Sequence, residues 1–248
     1  MRATDGKILT REVLTDSAAY GAWLSALSET GGAALVDKDK DWTSFDVVAK
    51  LRGIVRMKKI GHAGTLDPLA TGLLIVCFGK MTKSINDFQE QTKAYRAVVK
   101  LGATTKTDDA EAPEENIAAT DGLTSAQIQD VLSGYVGDIQ QIPPMFSAIK
   151  KNGVPLYKLA RKGQEIEREP RSVSIYSLEI ESLALPLCTL HITCSKGTYI
   201  RSLARDVGAT LGVGGYLADL RRTSIGDFSV DDALRINEIS HLQTQLQA

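Results

Sequence analysis

The residues whose types and spacing point most directly to chemistry crowd into one run, KKIGHAGTLDPLATGLLIVCFGK at 58–80. Asp67 stands between Leu66 and Pro68. A residue before proline is driven toward extended backbone, so this carboxylate belongs on a loop and not in a helix interior. Gly61, Gly64 and Gly72 surround it with positions that admit unusual dihedrals or close backbone approach. The continuous apolar run at 73–78 that follows reads as a buried strand. An acid on a small-residue loop braced by core sheet is a common catalytic arrangement. The same residues also fit a turn carboxylate that caps its own backbone, and the sequence pattern leaves both readings open.

Other chemistry-bearing residues need elements to position them. In KAYRAVVKLG, Tyr95 alternates with Ala97 and Val99 at period two, the pattern of a strand; a single strand tyrosine fits core packing with its hydroxyl satisfied. Lys150, Lys151, Lys158, Arg161 and Lys162 cluster with Tyr157 after the proline-fixed stretch QIPPMFSAIK at 141–150. Such a cluster is either a solvated face or a surface for phosphates. Residues 173–180 and 187–194 alternate as two strands and lead into CSKGTYIRSLARDVGATLGVGGYLADLRRTSIG. There Gly197 permits a bend, and Tyr199 and Arg201 fall at a strand-to-helix junction. Leu203, Val207 and Leu211 give that helix an apolar face, which Gly212, Gly214 and Gly215 end. Leu220, Arg221 and Arg222 return as a strand or edge segment. Cys188, His191 and Cys194 do not make a metal site if they lie in a strand, because the two thiols share one face and the imidazole takes the other.

The remaining segments supply scaffold. Residues 17–27 form an amphipathic helical lead-in, and a strand begins at 32–36. Ser44 is placed as a helix N-cap, with Phe45, Val48 and Leu51 at helical spacing and Arg52, Arg56, Lys58 and Lys59 making the end of that segment basic. Residues 84–92 are helix or loop, and 101–113 are polar and expected to be mobile. The clearest helix spans 123–137: Thr124 with Gln127 forms a capping box, Ile128, Val131, Leu132 and Tyr135 make the stripe, and Gly137 ends it. A short helix is expected within 231–246.

The totals bound the function. The chain has 248 residues with 43% apolar content, a formal net charge of −1 and a pI near 6.3. That suffices for one large or two small domains and lacks the global basic balance usual for nucleic-acid binding, so any RNA contact must use a local patch. Three cysteines in apolar stretches fit reduced core thiols. No apolar run reaches the roughly 20 residues of a membrane span, and the first residues lack a signal-peptide core; the cytoplasm is the expected compartment.

GHAGTLDPLATGLL resembles the catalytic motif of the TruB family of RNA pseudouridine synthases, G-x-L-D-P-x-A-x-G, whose essential acid falls on Asp67. The resemblance extends from about 36 to about 234. K-x-Y puts the family's active-site tyrosine at Tyr95. L-G-x-x-T-x-T-x-D matches at 101–109. P-P-x-x-S-A-x-K with G-x-x-x-Y-x-x-A-R-x-G matches through the basic cluster, which favours an RNA-backbone surface there. C-S-x-G-T-Y-I-R puts the active-site tyrosine and arginine at Tyr199 and Arg201, and L-R-R a pocket leucine at Leu220. One departure is clear: where the family shows D-K-P-x-G-x-T-S-F, this chain has Asp39 and Asp41 in place of the Pro and Gly.

The resemblance implies an α+β fold, a mixed and mostly antiparallel sheet flanked by helices. It also implies a division into an N-terminal lead-in packed on the core (1–31), a catalytic domain (32–234) and a short C-terminal segment (235–248), too short for the full PUA domain that relatives often carry. The implied reaction isomerises the T-loop uridine at position 55 of tRNA: the uracil nitrogen–ribose bond breaks and the ribose rejoins a ring carbon, with no redox change, cofactor or metal. Asp67 would attack the ribose, attack the ring or act as a base, and the sequence does not choose. Arg201 would keep that acid ionised and oriented. Tyr95 would hold the flipped base and is also the catalytic candidate for removing the proton from the rejoined carbon, although an ordinary phenol pKa of about 10 makes it a poor base unless perturbed. Tyr199 and Leu220 would line the pocket. His62 would fill the vacated place in the T-loop, its alternative being a hydrogen-bonded loop histidine. Lys150, Lys151, Arg161, Lys162, Arg221 and Arg222 would meet the RNA backbone, opposite an acidic back that includes 108–115. The expected partner is the tRNA T-stem-loop and the expected state a monomer. The competing readings are a non-catalytic RNA-binding or tRNA-folding protein on the same scaffold, and a glycosidase, which needs a second carboxylate.

Overall fold

Residues 7–147, 149–151 and 153–247 are described by the structure, a computed structural model. The part of the lead-in at 1–6, Ala148 in the proline-fixed stretch and the terminal Ala248 lie outside these residues. The chain opens with β1 (Ile8–Leu9), α1 (Ser17–Ala26), β2 (Gly32–Lys38), α2 (Ser44–Val55), β3 (Ile60–His62), β4 (Thr71–Phe78) and α3 (Ile85–Glu90). It continues through β5 (Lys93–Leu101), β6 (Thr104–Thr105), β7 (Glu114–Glu115), α4 (Ser125–Ser133), β8 (Gly137–Gln141), β9 (Lys150–Lys151), β10 (Val154–Pro155) and α5 (Leu156–Ala160). The last elements are β11 (Arg171–Ala184), β12 (Leu187–Cys194), α6 (Ile200–Thr210), β13 (Gly215–Ile225), β14 (Phe228–Ser229) and α7 (Ile236–Gln247). They form two compact units, one of residues up to 94 with 221 onward, the other of 95–220.

In the first unit β4 is central. β2 pairs antiparallel along its whole length, from Gly32 opposite Phe78 to Lys38 opposite Gly72. On its other edge β3 covers the far half, with His62 opposite Val76, and β13 covers the near half in parallel, with Arg221 opposite Thr71. The run at 73–78 is apolar throughout because both sheet faces are covered. Leu74, Val76 and Phe78 face a core shared with α1, α2 and α7. Leu73, Ile75 and Cys77 face a second core with Met81, Phe88 and Phe228. α1 and α7 share one core: Tyr20, Trp23 and Leu27 lie in the same cluster as Ile236, Ile239 and Leu242, and the Tyr20 hydroxyl donates to Gln243 Oε1 at 2.8 Å.

In the second unit β11 pairs antiparallel with both β12 and β8. β5 alternates as its sequence predicts, Ala97, Val99 and Leu101 being buried. The capping box of α4 is present, with Thr124 and Gln127 each serving the other's backbone. That helix ends at Ser133, earlier than expected, because Gly134 caps it and Gly137, at φ 106°, opens β8. The two units together give the expected α+β class, with antiparallel pairings predominating.

Candidate active site

Asp67 lies half-buried on the loop that leaves β3 and enters β4, and the backbone on both sides of it is held from three directions. Ser44 Oγ, fully inside, accepts from the Leu66 N–H at 2.9 Å and donates to the Leu66 carbonyl at 3.2 Å. Lys38, with none of its surface exposed, donates from Nζ to the carbonyls of Trp42 (2.6 Å), Asp39 (3.0 Å) and Pro68 (3.4 Å). Arg222, 2% exposed, donates to the Leu73 carbonyl at 2.7 Å and the Gly64 carbonyl at 3.2 Å. Gly72 lets the backbone of Arg222 pair closely alongside. Its φ is 100°, and a Cβ there would stand 2.3 Å from the Arg222 carbonyl oxygen. The carboxylate thus sits on backbone whose position is set by buried donors, the preorganisation that chemistry on a loop requires.

Two expectations change here. Ser44 is not the N-cap: Thr43 caps α2 in a reciprocal box with Asp46, and the hydrogen bonds from Thr43 hold the Asp46 carboxyl below its usual range. Freed from capping, Ser44 reaches the Asp67 loop. Arg222, expected at an RNA backbone, is instead a buried brace whose donors meet carbonyls, and Arg221 already holds Asp37 through two 2.9 Å bonds. The departure at Asp41 keeps the local shape, since Asp41 takes φ 65°, the left-handed region that glycine would favour and aspartate tolerates. Its N–H donates to the Pro68 carbonyl at 2.9 Å. His62 has a buried Nδ1 that meets no hydrogen-bond partner among the described residues. Burial lowers its pKa, and the Arg222 charge adds to that, while the Gly64 backbone opposes both.

Replacing Ser44 by Ala leaves the buried N–H and carbonyl of Leu66 without their shared partner. The expected cost is about 1–3 kcal/mol in urea unfolding, together with a fall in turnover that exceeds any change in KM.

The second unit carries Tyr95, Tyr199, Arg201 and Leu220. Tyr95 and Leu220 are buried. Tyr199 stands just before the first turn of α6, and its peptide is gripped by Gln141, whose Oε1 accepts from the Tyr199 N–H at 2.8 Å and whose Nε2 donates to the Tyr199 carbonyl at 3.0 Å. Arg201 is buried, donates to the carbonyls of Thr107 (3.1 Å) and Phe146 (2.7 Å), and has Nε 3.5 Å from Asp109 Oδ2. Asp108 takes Arg205 at 3.0 Å. The stretch at 101–113 is therefore ordered around Arg201 and Arg205, and Asp108 and Asp109 do not belong to a solvated acidic back. Nearby, Lys100 and the Tyr216 hydroxyl both bond Glu114.

Lys150, Lys151, Arg161 and Lys162 are exposed, with Arg161 stacked 5.7 Å over the Tyr157 ring and Lys151 bonded to the Glu167 carbonyl. β12 buries Cys188 and Cys194 and turns His191 outward to Glu181, 2.9 Å away. Burial pushes the Cys77 thiol up to about 12 and that of Cys188 up to about 11, as expected of inert core cysteines. Ser44 reads locally as a helix cap and Gln141 as the first residue of a proline-fixed stretch; nothing in their local pattern shows a side chain gripping a peptide far along the chain.

The N-terminal domain profile of the TruB family pseudouridylate synthases matches residues 52–200, and the C-terminal domain profile of tRNA pseudouridylate synthase B matches 201–248. The chain belongs to the TruB family of pseudouridylate synthases. It is 47% identical over 211 residues to tRNA pseudouridine synthase B of Geobacter sulfurreducens, covering 85% of this chain and 69% of that protein. To the protein of the same name from Opitutus terrae it is 46% identical over 214 residues, covering 86% and 89%. Among solved structures it resembles a chain of a Cbf5-Nop10-Gar1 complex at TM-score 0.69 and 27% identity, covering 88% of this chain and 56% of that one. It spans about half of that chain and of two others from related RNA–protein complexes. Among the described residues no helix is long and apolar enough to cross a membrane.

Proposed function

We propose that this protein is a tRNA pseudouridine synthase and that its substrate is the T-loop uridine at position 55. The observation that carries the reading is Asp67: a half-exposed carboxylate on a loop fixed by Ser44, Lys38 and Arg222, within the family's own motif. The glycosidic bond from uracil nitrogen to ribose breaks, the base turns while held, and ribose C1′ joins the ring carbon, which loses its proton while the freed ring nitrogen gains one. The step is an isomerisation, so atoms and electrons balance without redox equivalents. In this reading Asp67 is the catalytic carboxylate, Arg201 the cation that orients it and Tyr95 the ring that holds the everted base. Tyr199 and Leu220 line the pocket, and His62 takes the place the base leaves. Lys150, Lys151, Arg161 and Lys162 supply phosphate contacts from the second unit. The protein acts as a monomer in the cytoplasm, where its tRNA substrate is found.

Incubating the protein with an unmodified tRNA transcript and mapping pseudouridine by mass is expected to show one modified position in the T-loop. A transcript with cytidine at that position is expected to yield none. Free uracil among the products would instead mark a glycosidase, and binding without product a non-catalytic RNA chaperone.

A further inference from the structure

The cations of this protein divide by their partners. Arg11, Arg96, Lys100, Arg205 and Arg221 are each ion-paired, with Glu238, Glu181, Glu114, Asp108 and Asp37. Lys50, Arg52, Arg56, Lys58 and Lys59 crowd into ten residues along α2 and just beyond it, and none has a carboxylate within 4.0 Å among the described residues. Such crowding of unpaired like charges costs free energy through self-repulsion and is a footprint of an anionic partner. It stands out in a chain of net charge −1.

The same helix presents an aromatic. Val47, Val48 and Leu51 turn inward, whereas Phe45 in its first turn is 65% exposed. Phe45, Ala49 and Arg52, spaced by four and three, share one stripe, and Arg56 ends the helix about 16 Å along the axis from Phe45. Phe45 directly follows Ser44, the residue bonded to Leu66 beside Asp67. The exposed side of α2 therefore begins at the Asp67 loop with a bare ring and ends in a group of unpaired cations.

We infer that this face of α2, with Lys58 and Lys59 beyond its end, is a docking surface for the substrate RNA. The cations meet successive phosphates, and Phe45 stacks on an unpaired base next to the target. The inference rests on the proposed function and extends it to a surface in the first unit, separate from the basic cluster at 150–162. A helix C-terminus also favours nearby cations, which gives Arg52 and Arg56 a purely structural alternative.

The test uses the full chain with Arg52, Arg56, Lys58 and Lys59 all replaced by Gln, and separately Phe45→Ala. Binding to an unmodified tRNA transcript is measured between 50 and 300 mM salt, alongside pseudouridine formation. The slope of log affinity against log salt is expected to fall by about two or more, since each lost duplex phosphate contact is worth roughly 0.9. KM is expected to rise at least about tenfold. Phe45→Ala is expected to weaken binding by roughly 5- to 100-fold with no change in slope. An unchanged slope and KM in the quadruple variant, with or without a lower melting temperature, overturns the inference. Should the quadruple variant fail to fold, Lys58→Gln with Lys59→Gln, both exposed and outside the helix, carries the slope measurement. If wild-type protein binds tRNA but makes no pseudouridine, the enzymatic reading fails, and the slope still judges this surface.

Discussion

Asp67→Asn is expected to lower the single-turnover rate of pseudouridine formation by at least about four orders of magnitude while tRNA affinity stays within a few-fold of wild type. Asparagine keeps the size of the side chain and removes its charge and its capacity to act as nucleophile or base. Removing a group on which the chemical step depends costs rate far more than affinity. The loop should survive the change, because the hydrogen bonds that join Ser44, Lys38 and Arg222 to the backbone of Leu66, Pro68, Gly64 and Leu73 stay in place when asparagine replaces Asp67. A binding protein on the same scaffold has no need of that acid, so the variant separates the two readings. A variant that still forms product at the wild-type rate removes Asp67 from the chemistry and the proposed mechanism with it.

What the sequence could and could not show follows the range of the interactions. Local order was legible. The alternation of β5, the capping box of α4, the turn at Gly197 and the buried strand after Asp67 each depend on neighbours within a few positions. The position of the candidate acid was legible too, because proline and glycines flank it and the family motif surrounds it. The parts that fix it were not. Ser44 reads locally as a helix cap, and only the fold shows that Thr43 takes that role and leaves Ser44 to a residue 22 positions away. Arg222 reads as a surface cation beside Arg221. Its burial comes from the parallel pairing of β13 with β4, which carries it to Leu73 across a separation of 149 residues. Asp108 and Asp109 sit in a polar stretch that looks mobile until Arg205 and Arg201, each more than 90 positions on, are brought to them. Polar residues with distant buried partners carry no periodic signal, and they are the ones that build this site.

Lys38 leads to the second large effect, and its sign separates function from stability. Its ammonium gives up its proton at about pH 8 in the folded chain, against an ordinary value of 10.5. Burial is the main cause; the charges of Asp67, Asp39 and Asp41 oppose it, and that of Arg222 reinforces it. In the unfolded chain the proton stays on until about 10.4. Between those two pH values the unfolded chain binds more protons, so the contribution of this group to stability increases with pH, its full cost being present below about pH 8. Activity should move the other way. A neutral amine has two N–H groups for the three carbonyls of Asp39, Trp42 and Pro68, and it no longer places a positive charge near Asp67. The loop loosens at the residue next to the acid, where small displacements are costly in rate. Turnover is therefore expected to decline with a midpoint near pH 8 while urea unfolding shows no matching loss of stability. Lys38→Met is expected to reduce turnover roughly 10- to 1,000-fold at pH 7 and to abolish that alkaline limb. Single-turnover rates from pH 6.5 to 9.5, read beside unfolding curves at the same pH values, decide the matter. A limb that persists in Lys38→Met, or a decline that follows loss of folded protein, assigns the titration to another group and leaves Lys38 a structural role alone.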